Sequence, residues 1–245
     1  MGDGLRNPGC ERAAAVLRER MLAMPADTRL GSEERLLDDL GVSRSTLRQV
    51  ARILEGEGLL KVRRGKNGGY FAARPDLSTV QAAVSGYLRT LGVPSHDATM
   101  IASVLWVETI RRAAGVDHGA RVRLAEDFRA RLTDLSPHAT FNEVLAIEQA
   151  FRSAIFDLVD SRYVQLIFQI NSAFAVGNFR PGSDEDGTSR QEEFVNAWRT
   201  ARLLELATLE GGDGDLAALA ARRSREIWNE RVGLPPWWRG SGEPQ

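Results

Sequence analysis

The chain has 245 residues, of which 43% are apolar and 27% charged, enough for one large or two ordinary packed domains and unlike a disordered or fibrous protein. One cysteine, Cys10, excludes an intrachain disulfide. No apolar run approaches the roughly 18 residues of a membrane span, and the polar stretch Met1 to Cys10 lacks the apolar core of a signal peptide, so a cytoplasmic protein is expected.

The net charge of −1 would by itself argue against nucleic acid, but it is unevenly placed. Residues 41–75 hold 8 Lys+Arg against 2 Asp+Glu, and residues 76–245 hold 18 against 23. Such a basic segment is the footprint of a polyanion partner, although a solvated charged face accounts for it as well.

In chain order, Glu11 to Met24 predicts a helix with Ala13, Val16, Leu17 and Met21 on one face, ended by Pro25. Ser32 is placed to cap a second helix with Leu36, Leu37 and Leu40 inward, stopped by Gly41. Ser43 is placed to cap a third helix running to about Glu57, closed by Gly58. The third helix divides cleanly: Leu47, Val50, Ala51 and Leu54 share one face, and Arg44, Ser45, Arg48, Gln49 and Arg52 the other, with the three arginines stacked four apart. Leu59 to Val62 and Tyr70 to Ala72 then predict a two-stranded hairpin, with a basic tip at Arg63-Arg64-Gly65-Lys66 and a turn at Asn67-Gly68. Arg74-Pro75 marks a boundary. Beyond it the pattern is helical: 77–92, 97–115, 118–135, 139–159, 161–178, 189–210 and 213–232, with Ser161 and Thr188 as caps and a polar break at 180–187. An irregular tail from Pro235 carries Trp237 and Trp238, expected to pack back on the domain.

The fold class expected is therefore mostly α: a winged helix-turn-helix with a small β-hairpin wing over residues 1–75, and an all-α bundle over 76–245. A recognition helix needs the division seen in the third helix, since its apolar face docks on the domain while its polar N-terminal half enters the major groove. Arginine there can bond guanine O6 and N7. Ser43 and Thr46, with the free N–H groups of the helix start, suit a phosphate.

Residues 30–71 resemble the DNA-binding domain of GntR-type regulators, most closely at LGVSRSTLR (Leu40 to Arg48) and EGEGLLKVRRGKNGG (Glu55 to Gly69). The resemblance implies that Ser43, Arg44, Ser45, Thr46 and Arg48 contact DNA, with Arg64, Gly65 and Lys66 in the wing. Two departures stand out: Gly31 where the family usually has proline, and Glu34 where it has an arginine that often touches DNA. The neighbouring Arg35 points about 100° away on a helix.

The second half resembles the effector domain of the FadR-type subfamily at Gly212-Asp213…Ala217, at Glu148 to Arg152 and at Arg225 to Trp228. That resemblance implies a homodimer on double-stranded operator DNA and a small-molecule effector, either a carboxylate or an acyl-CoA. Many members hold a metal with one Asp and three His. Here Arg152 and Ser224 stand at two His positions and Glu148 at the Asp, and His96, His118 and His138 share no ligand spacing, so neither a metal nor a cofactor is expected. Arg152 is a candidate anion ligand, and a salt bridge to Glu148 one turn away explains it equally well. Trp106, Glu108, Phe151, Asn171 and Trp198 are candidates to line the same cavity.

The function expected is a sequence-specific, DNA-binding transcription regulator, a repressor, whose operator affinity responds to a ligand in the bundle. The alternative is a DNA-binding dimer whose bundle senses nothing. An enzyme is disfavoured by the lack of a nucleophile elbow, P-loop, dinucleotide fingerprint or metal-ligand cluster, and RNA binding by the lack of surface aromatic platforms.

Overall fold

The first helix starts where a proline fits, because a first-turn residue needs no N–H partner. This is α1 (Pro8–Ala23), and it buries Cys10, Ala13, Ala14, Leu17 and Met21. Val16, expected on that face, is instead 39% exposed. The structure, a computed structural model, describes residues 8–65, 68–177 and 188–234. The turn residue Asn67, the break at 180–187, the capping side chain of Thr188 and the tail with Trp237 and Trp238 lie outside the described residues. The chain divides into two units, residues 1–82 and 83–245.

In the first unit, β1 (Arg29–Gly31) precedes α2 (Glu33–Leu40), α3 (Arg44–Gly56), β2 (Leu60–Arg63) and β3 (Gly69–Ala72). Ser32 caps α2 by accepting from Arg35 N, and α2 ends at Gly41. Ser43 caps α3 by accepting from Thr46 N. Leu36, Leu47, Val50 and Leu54 pack with Leu17 and Met21 of α1 and with Leu60 and Tyr70 of the sheet. The hairpin expected from sequence is one strand short. β1 joins it to give an antiparallel sheet ordered β1-β3-β2, with Leu60 opposite Ala72 and Arg63 opposite Gly69. Three residues are too few to show alternation, and β1 forms because β3 offers it an open edge.

Gly31 has φ 155°, a value proline's ring forbids, so the departure from the family's proline belongs to this strand's geometry. At Gly68 a side chain is excluded outright: a Cβ would lie 2.3 Å from the carbonyl oxygen of Arg63.

α4 (Leu77–Thr90) spans the division between the units. The helical unit continues with α5 (Ser95–Ala113), α6 (His118–Asp134), α7 (Phe141–Leu158), α8 (Arg162–Ala175), α9 (Thr188–Gly211) and α10 (Gly214–Arg231). α5 runs through its centre, packed on α8 and α10, and α9 packs on α6 and α10. The core gathers Trp106, Ile110, Phe128, Phe151, Ile155, Phe168, Trp198 and Trp228, with Trp106 edge-on to Phe151 and Phe156, both at 5.9 Å.

Arginines close several helix ends, where the last carbonyls lack intrahelical partners. Arg74 donates to the carbonyls of Met21, Leu22 and Met24 after α1, and Arg121 to those of Leu209 and Glu210 at the end of α9. Arg199 reaches Leu135 O, after α6, at 2.5 Å. Ser161 occupies the N-cap of α8 as expected, but its side chain makes no capping bond. Thr140 and Glu143 instead form a full capping box on α7. Thr140→Ala is expected to cost about 1 kcal/mol, read as a lower denaturant midpoint for the fluorescence change of the bundle's tryptophans.

Candidate functional site

The exposed face of α3 is where the sequence places its arginines. The side chains of Arg44 and Arg48 are each 68% exposed, and Ser45, Gln49 and Arg52 share that face. The opposite residues, Leu47, Val50 and Leu54, are fully buried. The basic stripe is thus mounted on a helix whose other side is fixed by packing, as insertion into a groove requires. Glu33, in the first turn of α2, lies 3.9 Å from both Arg44 Nε and Arg48 Nη2. At that distance, in solvent, it holds them weakly and leaves their N–H forks available.

At the start of α3 the hydroxyls form a cluster. Ser43 Oγ is 2.8 Å from Ser45 Oγ and 2.9 Å from Thr46 Oγ1, while accepting from Thr46 N. Ser43 therefore organises the helix start, and Ser45 lies exposed beside it.

The wing residues differ among themselves. Arg63 is tethered, with Nη2 2.5 Å from Asp27 Oδ1 and its guanidinium stacked 4.3 Å from the Phe71 ring centre. Arg64 and Gly65 are exposed at the tip. Lys66 lies outside the described residues. Arg29, which the sequence reading did not single out, donates from β1 to Gly68 O at 2.9 Å and braces the hairpin. Glu34 and Arg35 are both exposed on α2.

The second candidate region is the polar centre of the helical unit. Glu148 is fully buried and accepts from Arg152 Nε at 2.7 Å, from Trp198 Nε1 at 3.0 Å, and from Arg202 Nε and Nη2 at 2.9 and 2.6 Å. Burial pushes its carboxyl up, but Arg152 and Arg202 outweigh that and hold it down at about 2. Arg202 also donates to Glu205 and, at 3.1 Å, to Ser224. Glu205 accepts from Trp106 Nε1 at 3.0 Å and from Ser224 Oγ at 2.7 Å. For Glu205 burial prevails, and its carboxyl is raised above the usual range.

Of the expected lining residues, Glu148, Arg152, Trp106, Trp198 and Phe151 do come together. The salt bridge weighed for Arg152 and Glu148 is present at 2.6 Å. Asn171 is half-buried and donates its amide to Ile167 O one turn back. Glu108 is not brought to the cluster, since its side chain is 59% exposed and pairs with Arg111.

The sequence reading missed Arg202 and Glu205, and it named Ser224 and Arg225 only within the family resemblance, not as members of this cluster. A signal existed: Arg202 falls in register with Val195, Trp198, Leu206 and Leu209, and Arg225 with Ala218, Ala221 and Trp228. Each is a charge at a core position of its helix. His138 pairs with Glu192 at 2.7 Å, and among the described residues no group of three His, Cys, Asp or Glu is placed to hold a metal.

Residues 10–68 match the family of bacterial regulatory proteins, gntR family. No curated protein matches the chain. Among solved structures, Streptococcus agalactiae GntR shares 19% identity over 91% of this chain and 98% of its own, with a TM-score of 0.56, a likeness of fold. E. coli McbR/YncC shares 15% identity over 91% and 98%, with a TM-score of 0.37.

Proposed function

We propose, from the match of residues 10–68 to the gntR family of bacterial regulatory proteins, that the protein is a ligand-responsive repressor that binds a two-fold operator as a homodimer in the cytoplasm. Residues 1–75 serve as the reading head and residues 76–245 as the sensing and dimerising domain. Ser43, Arg44, Ser45, Thr46 and Arg48 face the major groove and its phosphates, and Arg64, Gly65 and Lys66 follow the backbone beside it. The observation that carries the reading is the α3 face, whose exposed arginines stand opposite a fully buried apolar stripe.

Arg152, Glu148, Trp106, Asn171 and Trp198 belong to the sensing region in this proposal, and the effector is a small carboxylate or an acyl thioester. Ligand binding lowers operator affinity only to the extent that it prefers one head arrangement over the other. A second reading, a dimerising bundle that senses nothing, draws on the saturation of Glu148 by its own neighbours.

The test is a mobility shift on DNA from the protein's own upstream region, at two salt concentrations, with and without a panel of carboxylates and acyl-CoAs. A complex neutralising about 6–10 phosphates is expected to lose about 10³–10⁵ in affinity between 50 and 200 mM salt. A specific shift that one compound releases supports the sensor, and one that no compound alters supports the second reading. No specific shift on any fragment would overturn both.

A further inference from the structure

The residues that stand at three metal-ligand positions of the FadR-type subfamily, Glu148, Arg152 and Ser224, do not fit a metal. Arginine has five N–H donors and no acceptor. Glu148 has no lone pair to spare, since a carboxylate offers about four acceptor sites. Its Oε1 accepts from Arg152 Nε at 2.7 Å and Arg202 Nη2 at 2.6 Å, and its Oε2 from Trp198 Nε1 at 3.0 Å and Arg202 Nε at 2.9 Å. Ser224 Oγ donates to Glu205 at 2.7 Å and accepts from Arg202 at 3.1 Å. Charge opposes a metal as well. Glu148 and Glu205 lie among the guanidinium groups of Arg152, Arg202 and Arg225, three against two, and Arg225 bonds only the neutral Ser103 and Asn229. A dication would add two more positive charges to that excess in a low-dielectric interior.

What Glu148 and Ser224 hold between them is the guanidinium of Arg202. Its Nε and Nη2 donate to Glu148, and its Nη1 to Ser224 and Glu205. Its carbon lies 4.9 Å from the ring centre of Phe151 and 5.5 Å from that of Trp106, both within cation–π range. The side chain is buried, so protein groups alone surround it. Glu148 belongs to α7, Arg202 and Glu205 to α9 and Ser224 to α10, and Trp106 of α5 joins through its bond to Glu205. One cation thus ties four helices together, as a structural metal does when its ligands come from separate elements.

We propose that the Arg202 guanidinium is a built-in cation, which takes the place of the divalent ion held by metal-binding members of that subfamily and joins α7, α9 and α10 in its stead. The helical unit folds without a metal and takes none up. The planar fork suits the role, because it gives two carboxylates and a hydroxyl a donor each in fixed directions. The inference concerns the assembly of the bundle and does not rest on the sensing role proposed above.

The experiment is metal analysis and thermal unfolding of the untagged full chain, dialysed against EDTA or supplied with nickel or manganese chloride, beside Arg202→Ala in ethylguanidinium chloride or in sodium chloride at matched ionic strength. The wild-type protein is expected to carry no stoichiometric metal and to keep one Tm in EDTA and in either metal. Arg202→Ala is expected to unfold at a lower Tm, which ethylguanidinium, a soluble copy of the lost group, raises in a concentration-dependent way and sodium chloride does not. Arg202→Lys, which keeps a cation, is expected to unfold above Arg202→Met, a neutral side chain of similar length, and this order is read even where Arg202→Ala does not fold. About one equivalent of metal in the purified protein, a Tm that falls in EDTA, or one that rises with nickel or manganese and saturates at one equivalent overturns the proposal. So does an Arg202→Ala variant with the wild-type Tm or no response to ethylguanidinium, or an Arg202→Met variant that outlasts Arg202→Lys.

Discussion

Arg202→Met is expected to destabilise the helical unit by about 3–5 kcal/mol, the usual cost of removing one member of a buried ion network. Arg202 is 1% exposed and lies between Glu148 and Glu205, both fully buried. Its removal leaves Glu148 with Arg152 and Trp198, and Glu205 with only the neutral donors Ser224 and Trp106. The loss is therefore that of an uncompensated buried carboxylate more than of the individual hydrogen bonds. Methionine roughly keeps the length of the side chain, so a cavity contributes little. The measurement is the denaturant midpoint of the bundle's tryptophan fluorescence. A change below about 1 kcal/mol would mean that water or rearrangement compensates Glu205, and would sink the account of this core. The contrast with Arg225 is the informative part: Arg225→Met is expected to leave the denaturant midpoint unchanged or higher, because that buried guanidinium bonds only the neutral groups Ser103 and Asn229.

Arg48→Ala is expected to abolish operator selectivity while leaving the fold and the proposed dimer intact. The side chain is largely exposed and its nearest charged partner, Glu33, is 3.9 Å away, so truncation leaves no hole and no buried orphan. A bidentate arginine–guanine pair discriminates by about 1–3 kcal/mol, and the proposed two-fold complex would lose it twice. Arg64→Ala, at the wing tip, should weaken all sequences about equally and flatten the salt dependence, because a phosphate contact carries no sequence information. Titrations of operator and scrambled duplexes, with light scattering for oligomeric state, separate the two. Retained selectivity in Arg48→Ala would remove α3 from the recognition role.

Much of the first unit was legible in sequence because its signals are local. Ser32 and Ser43 cap the helices they precede, Leu47, Val50 and Leu54 repeat with the helical period, and Gly41 and Gly58 end their helices with backbone angles that suit glycine. Such features depend on residues a few positions apart. The helices of the bundle were legible for the same reason, to within a few residues at each end.

What only the tertiary structure decided concerns residues far apart in the chain. β1 is three residues long and exists through pairing with β3, some 40 positions later. Arg63 and Arg64 are adjacent and alike in sequence, yet Asp27 and Phe71 tether the first and leave the second exposed. Glu148 to Arg202 and Arg225 to Ser103 are pairings between helices, invisible to periodicity except as charges at core positions. The sequence by itself determined where helices begin, which faces are apolar and where the basic stripe lies, because those follow from steric and capping preferences within one or two turns. Which buried charges find charged partners and which find neutral ones was decided by packing, because the low-dielectric interior makes each charge's state depend on neighbours brought from other helices.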